Sequence, residues 1–260
     1  MDISRFSVPT VSLSRSLRHA LRKARELGLH GVELDARSGL TPEEVSQSGI
    51  RQIRKWLADE GLVVAGVAFP TRRGYADEES LEGRIAATKS AMKFAYEMGC
   101  DVVTNHVGDI PASEDAAKWK LLIDVLADLG HWGERVGARL AAEAGRAAPA
   151  DLMRVFEVVP EGSIGCDLVT GSLVVHGHDP VEAVGMLGDH ILAVHATDAV
   201  AGAFAGRGRA VVLGTGQVDL PSVLAALGER DYRGWIGLEP VDGVGAEREL
   251  ADAIRFLQAL

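Results

Sequence analysis

Eight short apolar runs, separated by segments with helical spacing, are the feature that most constrains the fold of this 260-residue chain. The runs have the length of strands, whereas apolar residues between them recur at helical intervals, as at Leu17, Leu21 and Ala24. Eight alternations of strand and helix in a chain of this length predict a single (β/α)8 barrel, a TIM barrel, over residues 1–260. The predicted strands are Phe6–Val11, Gly31–Leu34, Leu62–Phe69, Asp101–His106, Ala138–Glu143, Ile164–Val169, Ile191–His195 and Trp235–Glu239.

The predicted helices lie between these runs, and Ser113 is the expected N-cap of the fourth listed below. They are Ser14–Leu27, Ile50–Glu60, Glu78–Met98, Glu114–Val136, Pro149–Phe156, Pro180–Leu187, Leu220–Leu227 and Ala246–Leu260. The alternative fold is a doubly wound open sheet. That fold usually has a glycine-rich turn after its first strand, and the sequence SVPTVSLS has none. The segment Ala201–Arg209 is predicted to be a flexible loop over the barrel mouth.

Composition narrows the class of protein. Hydrophobic residues make up 47% of the chain, which argues against disorder, and the net charge of −10 argues against a nucleic-acid partner. Cys100 and Cys166 fall in or beside strand-like runs, so we expect buried free thiols in a reducing compartment. The N-terminal MDISRFSVPTV lacks a signal-peptide pattern, and no apolar stretch reaches the ~20 residues of a membrane span. We therefore expect a cytoplasmic protein with no membrane partner.

Four polar residues, Glu143, Asp167, His195 and Glu239, lie at or near the ends of the last four predicted strands. In a barrel the carboxyl ends of the strands converge on one mouth, where barrel enzymes carry their active sites. Three carboxylates and one imidazole suit a divalent ion of hard or borderline preference, such as Mn²⁺. These four residues are the predicted metal ligands.

Two carboxylates on opposite sides of a substrate can exchange protons with a carbon next to a carbonyl. A metal would polarise the substrate oxygens and stabilise the enediolate. This chemistry is isomerisation or epimerisation of a sugar, and Glu143 and Glu239 are the candidate catalytic pair. All six lysines fall in helical segments, so no Schiff-base lysine is expected on a strand. No GxSxG or P-loop motif is present.

Other residues could contact the substrate. The segment Leu213–Gly216 (LGTG), preceded by Arg207 and Arg209, could hold a phosphate or carboxylate, or could be an ordinary turn with solvated arginines. Phe69 and the Arg72–Arg73 pair follow the third strand and could line the mouth. Glu33, in GVELD, is interpreted as a hydrogen-bonded structural acid at the barrel rim.

Three segments resemble the xylose isomerase-like TIM barrels, the sugar phosphate isomerase/epimerase superfamily. They are GLHGVELD, ILAVHATDA and VVLGTGQVDLPSVLAALGERDYRGWIGLEP. The resemblance implies a metal, usually Mn²⁺ with Mg²⁺, Co²⁺ or Zn²⁺ as alternatives, held by the four residues named above. It also implies Glu143 and Glu239 as the proton-transfer pair, His106 facing the substrate or a second metal, a carbohydrate substrate, and a homodimer or homotetramer.

One position departs from that pattern. Epimerases of the superfamily often carry a histidine three residues after the aspartate of the sixth strand, where this chain has Thr170. Thr170 is therefore expected to alter the hydrogen bonding of the substrate. Two other functions remain open: a lyase or dehydratase that uses the same metal site, and a non-catalytic sugar-binding barrel. Apurinic endonucleases need further His and Asp ligands that the segment Ala199–Gly216 does not contain.

Overall fold

Eight parallel strands form a barrel that is surrounded by helices, as the alternating pattern predicts. The structure is a computed structural model that describes residues 5–112, 115–160, 162–241 and 245–260. The barrel strands are β1 (Phe6–Ser7), β2 (Gly31–Asp35), β3 (Val63–Ala68), β4 (Val102–Asn105), β5 (Arg139–Ala144), β6 (Ile164–Val169), β7 (Ile191–Ala196) and β10 (Ile236–Leu238). Neighbouring strands follow the order β1-β10-β7-β6-β5-β4-β3-β2.

The barrel closes between β1 and β2, just beyond the end of the short β1 strand. The amide of Glu33 donates to the carbonyl of Val8 at 2.8 Å, and Pro9 forms an isolated parallel bridge with Glu33. The first and last strands are joined as well, since Phe6 pairs with Ile236. Glu33 therefore lies at the seam of the barrel.

The helices pack their apolar faces on the outside of the barrel, as the helical spacing predicts. In the helix Leu17–Glu26, for example, Ala20, Leu21 and Ala24 are fully buried. None of the helices in the described ranges is both long and apolar enough to cross a membrane. The helices are α1 (Thr10–Leu13), α2 (Leu17–Glu26), α3 (Gln47–Glu60), α4 (Leu81–Glu97), α5 (Ala116–Val136), α6 (Pro149–Phe156), α7 (Thr170–Val175), α8 (Pro180–Leu187), α9 (Leu220–Glu229) and α10 (Ala246–Gln258).

The structure differs from the predicted pattern in several places. The first strand ends at Ser7 and not at the predicted Val11, because Thr10–Leu13 forms the helix α1. A short helix, α7, follows β6 directly, and the segment predicted as a loop over the mouth is flanked by an antiparallel pair, β8 (Asp198–Val200) and β9 (Arg209–Val211). The carboxylate of Asp115 caps α5 by accepting from the amide of Lys118, whereas the predicted cap, Ser113, lies outside the described residues. Elements of three to six residues carry too little periodicity to be read from the sequence.

Candidate functional site

The four predicted metal ligands and Glu33 line one cavity of about 430 Å³ at the carboxyl ends of the barrel strands. Strand register brings them together: Glu143 pairs with Asp167 across β5 and β6, and His195 pairs with Gly237 across β7 and β10. Glu239 directly follows β10. In sheet order β5 and β10 are separated by β6 and β7. Glu143 and Glu239 therefore approach the cavity from well-separated sides of the barrel.

His195 lies at the centre of this group, with a carboxylate on each ring nitrogen. Its Nδ1 is 2.7 Å from Oδ1 of Asp167, and its Nε2 is 2.8 Å from Oε2 of Glu33. Oε1 of Glu239 is 4.0 Å from the same Nε2. The side chains of His195, Asp167 and Glu33 are at most 7% exposed, whereas that of Glu239 is 46% exposed. The buried trio therefore forms the floor of the cavity, and Glu239 stands at its opening.

Burial and charge oppose each other in this group. Burial alone would lower the pKa of His195, but the charges of Asp167 and Glu33 and both hydrogen bonds raise it well above its ordinary value. Burial would raise the pKa of Glu33, yet His195 and the Ser7 hydroxyl hold it below its usual range. For Asp167, burial outweighs the attraction of His195 and raises the pKa.

Glu239 belongs to the same electrostatic group. The side chain of Glu239 is 46% exposed, but protein atoms surround the rest of it, and this partial burial raises the pKa of Glu239. Charge repulsion from Glu33, Asp167 and Glu143 adds to the rise, and His195 opposes it. A carboxyl group with a raised pKa is better suited to hold and release a proton near neutral pH.

Glu143, the other candidate catalytic residue, is paired with His106. Oε2 of Glu143 lies 2.8 Å from Nδ1 of His106, and its Oε1 accepts a longer hydrogen bond, 3.4 Å, from the hydroxyl of Ser172. The hydrogen bond to Glu143 raises the pKa of His106, against the opposing effect of burial. His106 therefore contacts one member of the predicted acid–base pair and lines the same cavity, and its contact with a substrate or second metal stays a prediction.

A second, wider cavity of about 910 Å³ adjoins the first and shares His106 and Glu143 with it. It lies between the loops that follow β3, β4 and β5, and Arg72 and Arg73 are on its wall. Two glycines shape this wall, since a Cβ on Gly108 would lie 2.2 Å from the Cα of Gly74. The mouth thus offers room beyond the polar floor for the distal part of a ligand.

The donor set fits a divalent ion. Within the described residues, no three Asp, Glu, His or Cys side chains already converge as the ligands of one ion do. Of the four predicted ligands, Asp167 and His195 are hydrogen-bonded to each other, Glu143 is paired with His106, and Glu239 lies 4.0 Å from His195. Oδ1 of Asp167 and Nδ1 of His195 are 2.7 Å apart, so the hydrogen between them would have to leave and the two atoms separate slightly to reach the roughly 3 Å between adjacent ligands of an octahedral ion at metal–donor distances near 2.1 Å. Five carboxylates and two imidazoles line the cavity, which leaves an excess of negative charge that a cation would neutralise.

The other predicted substrate-binding residues lie elsewhere. Thr170 is fully buried, and its hydroxyl donates to the carbonyl of Thr197 at 2.5 Å, so it has no surface with which to contact a substrate. Phe69 is also buried, with the guanidinium of Arg37 over its ring, and lines neither cavity. Arg207 and Arg209 are exposed around the β8–β9 connection and line neither cavity.

The Leu213–Gly216 segment is a turn whose backbone is held by Asp198. The carboxylate of Asp198 accepts from the amides of Gly214 and Gly216, at 3.0 and 2.7 Å, and also from those of Ala199 and Val218. Two of the amides that could have held an anion are therefore occupied within the protein. Of the two interpretations of this segment, the contacts favour the ordinary turn, because Asp198, the first residue of β8, takes the position that an anion would occupy.

Glu33 is the member of the site that sequence reasoning placed outside it. The carboxylate is part of the cavity floor and contacts His195, from which it is 162 residues away in the chain. The one available signal was a carboxylate inside an apolar run, since GVEL places it between two buried residues. A buried acid needs a partner, but nothing local in the sequence identifies that partner.

Comparisons with known proteins agree with this architecture. Inosose dehydratase from Geobacillus kaustophilus (strain HTA426) is 25% identical over 201 residues, which is 64% of this chain and 64% of that protein. The match therefore spans less than two thirds of that relative. The structure of a xylose isomerase domain protein from Planctomyces limnophilus superposes with a TM-score of 0.87 at 22% identity, covering 99% of this chain and 96% of the other. A D-tagatose 3-epimerase-like protein gives 0.79 at 19% identity and 98% of both chains.

At these identities the structural matches establish the fold alone. A sequence profile is more specific, since the profile described as xylose isomerase-like TIM barrel matches residues 21–260. That range includes Glu33 and all four predicted metal ligands. The chain belongs to the xylose isomerase-like TIM barrel family.

Proposed function

We propose that this protein is a divalent-metal-dependent isomerase or epimerase of a sugar, sugar phosphate or sugar derivative. The observation that carries the proposal is the position of Glu143 and Glu239, which face one cavity from separated strands with Asp167 and His195 on its floor. Family membership and the structural likeness to a D-tagatose 3-epimerase-like protein support the same class of chemistry.

The residues would divide the work as follows. Glu143, Asp167, His195 and Glu239 would hold the ion, which we expect to be Mn²⁺ because three of the four donors are carboxylates. When bound, the ion would polarise the substrate carbonyl and stabilise the charge that develops on its oxygen. Glu143 would take the proton from the carbon next to the carbonyl, and Glu239 would deliver a proton from the other side. His106 would hold Glu143 in position and contact the substrate.

Elimination is the second candidate. The same proton removal beside a carbonyl leads to loss of water when a hydroxyl group lies on the next carbon. The similarity to inosose dehydratase favours this alternative specifically, as that match includes 201 residues. The first chemical step and the residues that perform it are common to both candidates, so the outcome depends on the substrate.

Product analysis separates the two candidates. Purified protein with Mn²⁺ would be incubated with a panel of ketoses, ketose phosphates and inososes, and the products weighed by mass spectrometry. An isomerase or epimerase gives a product of unchanged mass, whereas a dehydratase gives one lighter by a molecule of water. If Mn²⁺, Mg²⁺, Co²⁺ and Zn²⁺ all fail to bind the wild-type protein, the proposed function is wrong.

Two expectations about the setting of this protein stay proposals. We propose a reducing compartment such as the cytoplasm, which is supported by Cys100 and Cys166, both buried and unpaired. Burial raises the pKa of the Cys100 thiol to about 12, so this thiol is unreactive. We also propose a homodimer or homotetramer, which light scattering would test.

A further inference from the structure

The floor of the cavity contains a carboxylate that the proposed ligand set does not use. Glu33 contacts Nε2 of His195, on the side of the ring away from Asp167, at 2.8 Å. Its side chain is only 6% exposed. A carboxylate that is this buried needs partners for both oxygens, and it has them within the barrel.

Hydrogen bonds hold the carboxylate, the backbone carbonyl and the backbone amide of Glu33. Its Oε1 accepts from the hydroxyl of Ser7 at 2.8 Å, and its backbone carbonyl accepts from the hydroxyl of Thr10 at 3.0 Å. Its amide donates to Val8 across the closing seam of the barrel. The carboxylate therefore projects from a rigid part of the structure and cannot swing toward the opening without losing buried hydrogen bonds.

The backbone of β10, the eighth barrel strand, lies directly against Glu33 and His195 where they contact each other. A Cβ on Gly237 would lie 2.6 Å from both Oε1 of Glu33 and Cδ2 of His195, and 2.9 Å from Nε2. Nothing larger than hydrogen fits there, so the backbone of β10 closes one side of the pair. Glu33 and the imidazole are thereby confined to one relative orientation.

We propose that Glu33 is a positioning residue that fixes which nitrogen of His195 is left for the metal. Each ring nitrogen faces a carboxylate, but Asp167 is a proposed ligand and Glu33 is not. When an ion binds beside Asp167, the hydrogen that leaves His195 is therefore the one on Nδ1, while Glu33 keeps the hydrogen on Nε2. The Ser7–Glu33–His195 chain thus sets both the ring orientation and the tautomer for a shared ion. This inference rests on the proposed metal site, and it assigns no ligand role to Glu33.

The test compares metal affinity with fold stability in matched variants. Replacing a carboxylate that orients a metal-bound histidine typically weakens metal binding by 10–100-fold. We expect about that loss of Mn²⁺ affinity in Glu33→Ala, measured by calorimetry. Glu33→Gln keeps an acceptor for Nε2–H and should lose less, roughly tenfold or under. Ser7→Ala removes only the hydrogen bond that supports Glu33, so its Mn²⁺ affinity should fall a few-fold. This variant replaces Glu33→Ala in the test if Glu33→Ala does not fold.

Thr88→Val is the control for the loss of a buried hydrogen bond. Thr88 is fully buried and bonds the hydroxyl of Tyr75 at 2.7 Å, outside both cavities. This variant should lose stability and keep its Mn²⁺ affinity. A folded Glu33→Ala variant with wild-type affinity would overturn the role of Glu33 alone. A wild-type protein that binds none of the divalent ions overturns the metal site itself, so the two failures are distinct.

NMR of the ring nitrogens of His195 is a second, direct test of the proposal. In ¹⁵N-labelled protein loaded with Zn²⁺, long-range ¹H–¹⁵N spectra should show His195 with a hydrogen on Nε2 and the metal on Nδ1. Metal on Nε2 would contradict the proposal, because that nitrogen is the one that Glu33 holds.

Discussion

Replacing Gly237 by alanine is expected to lower the free energy of unfolding by about 1–3 kcal/mol, the usual cost of overpacking a rigid core. The new methyl group would lie 2.6 Å from Glu33 and His195, about 0.8 Å closer than the 3.4 Å at which ordinary contact begins. The backbone of β10 cannot simply retreat, because it is paired with β1 on one side and β7 on the other. The side chains of Glu33 and His195 on the cavity floor must therefore shift.

Urea unfolding followed by circular dichroism measures this loss, and calorimetry with Mn²⁺ measures its effect on the site. Gly83→Ala is the matched control, since Gly83 lies in α4 and an added Cβ would meet nothing within 4 Å. Alanine in a helix is favoured over glycine by roughly 0.5–1 kcal/mol, so the control should gain stability and keep its metal affinity. Wild-type stability and affinity in Gly237→Ala would refute the reasoning about the packed floor.

Three further predictions follow from contacts around the mouth. Asp198→Ala should lower the free energy of unfolding by about 3 kcal/mol or more, because the amides of Gly214 and Gly216 lose their acceptor. Limited proteolysis should then cut this turn, and resistance equal to that of the wild type would contradict the role of Asp198. Thr170→Val should cost about 1–2 kcal/mol through the lost bond to Thr197 while the KM stays unchanged, and a raised KM would show that the residue contacts substrate after all. In metal-free protein, NMR titration should place the pKa of His106 above 6.5, and Glu143→Gln should bring it back toward 6.5; stability from this pair is full below that value and is lost as pH rises through the raised pKa.

The sequence predicted the barrel well because its evidence is repeated along the whole chain. Eight apolar runs and the helical spacing between them are local patterns, and each is long enough to be recognised. The convergence of Glu143, Asp167, His195 and Glu239 on one cavity follows from the same count, since the carboxyl ends of parallel barrel strands share one mouth. Their convergence could be predicted without information on contacts between distant parts of the chain.

The remaining features depend on contacts between distant parts of the chain. Glu33 and His195 meet across the barrel floor, and no spacing rule connects them. Thr170 was expected at the substrate because it stands where related epimerases often carry a histidine, but α7 begins at that residue and turns its hydroxyl toward the backbone after β7. Likewise, the glycines of LGTG have the sequence of an anion-binding turn, and only the fold shows that Asp198 occupies it.

Deuterium uptake from D₂O reports directly whether the protein exchanges a proton at a carbon of its substrate. The protein with Mn²⁺ would be incubated in D₂O with the same panel of ketoses, ketose phosphates and inososes, and the deuterium content of each compound measured by mass spectrometry. We predict that at least one compound gains deuterium at the carbon next to its carbonyl, that Glu143→Gln and Glu239→Gln abolish the uptake, and that Glu229→Gln, at the exposed end of α9, leaves it unchanged. Uptake that persists in both site variants, or that needs no divalent ion, would contradict the account.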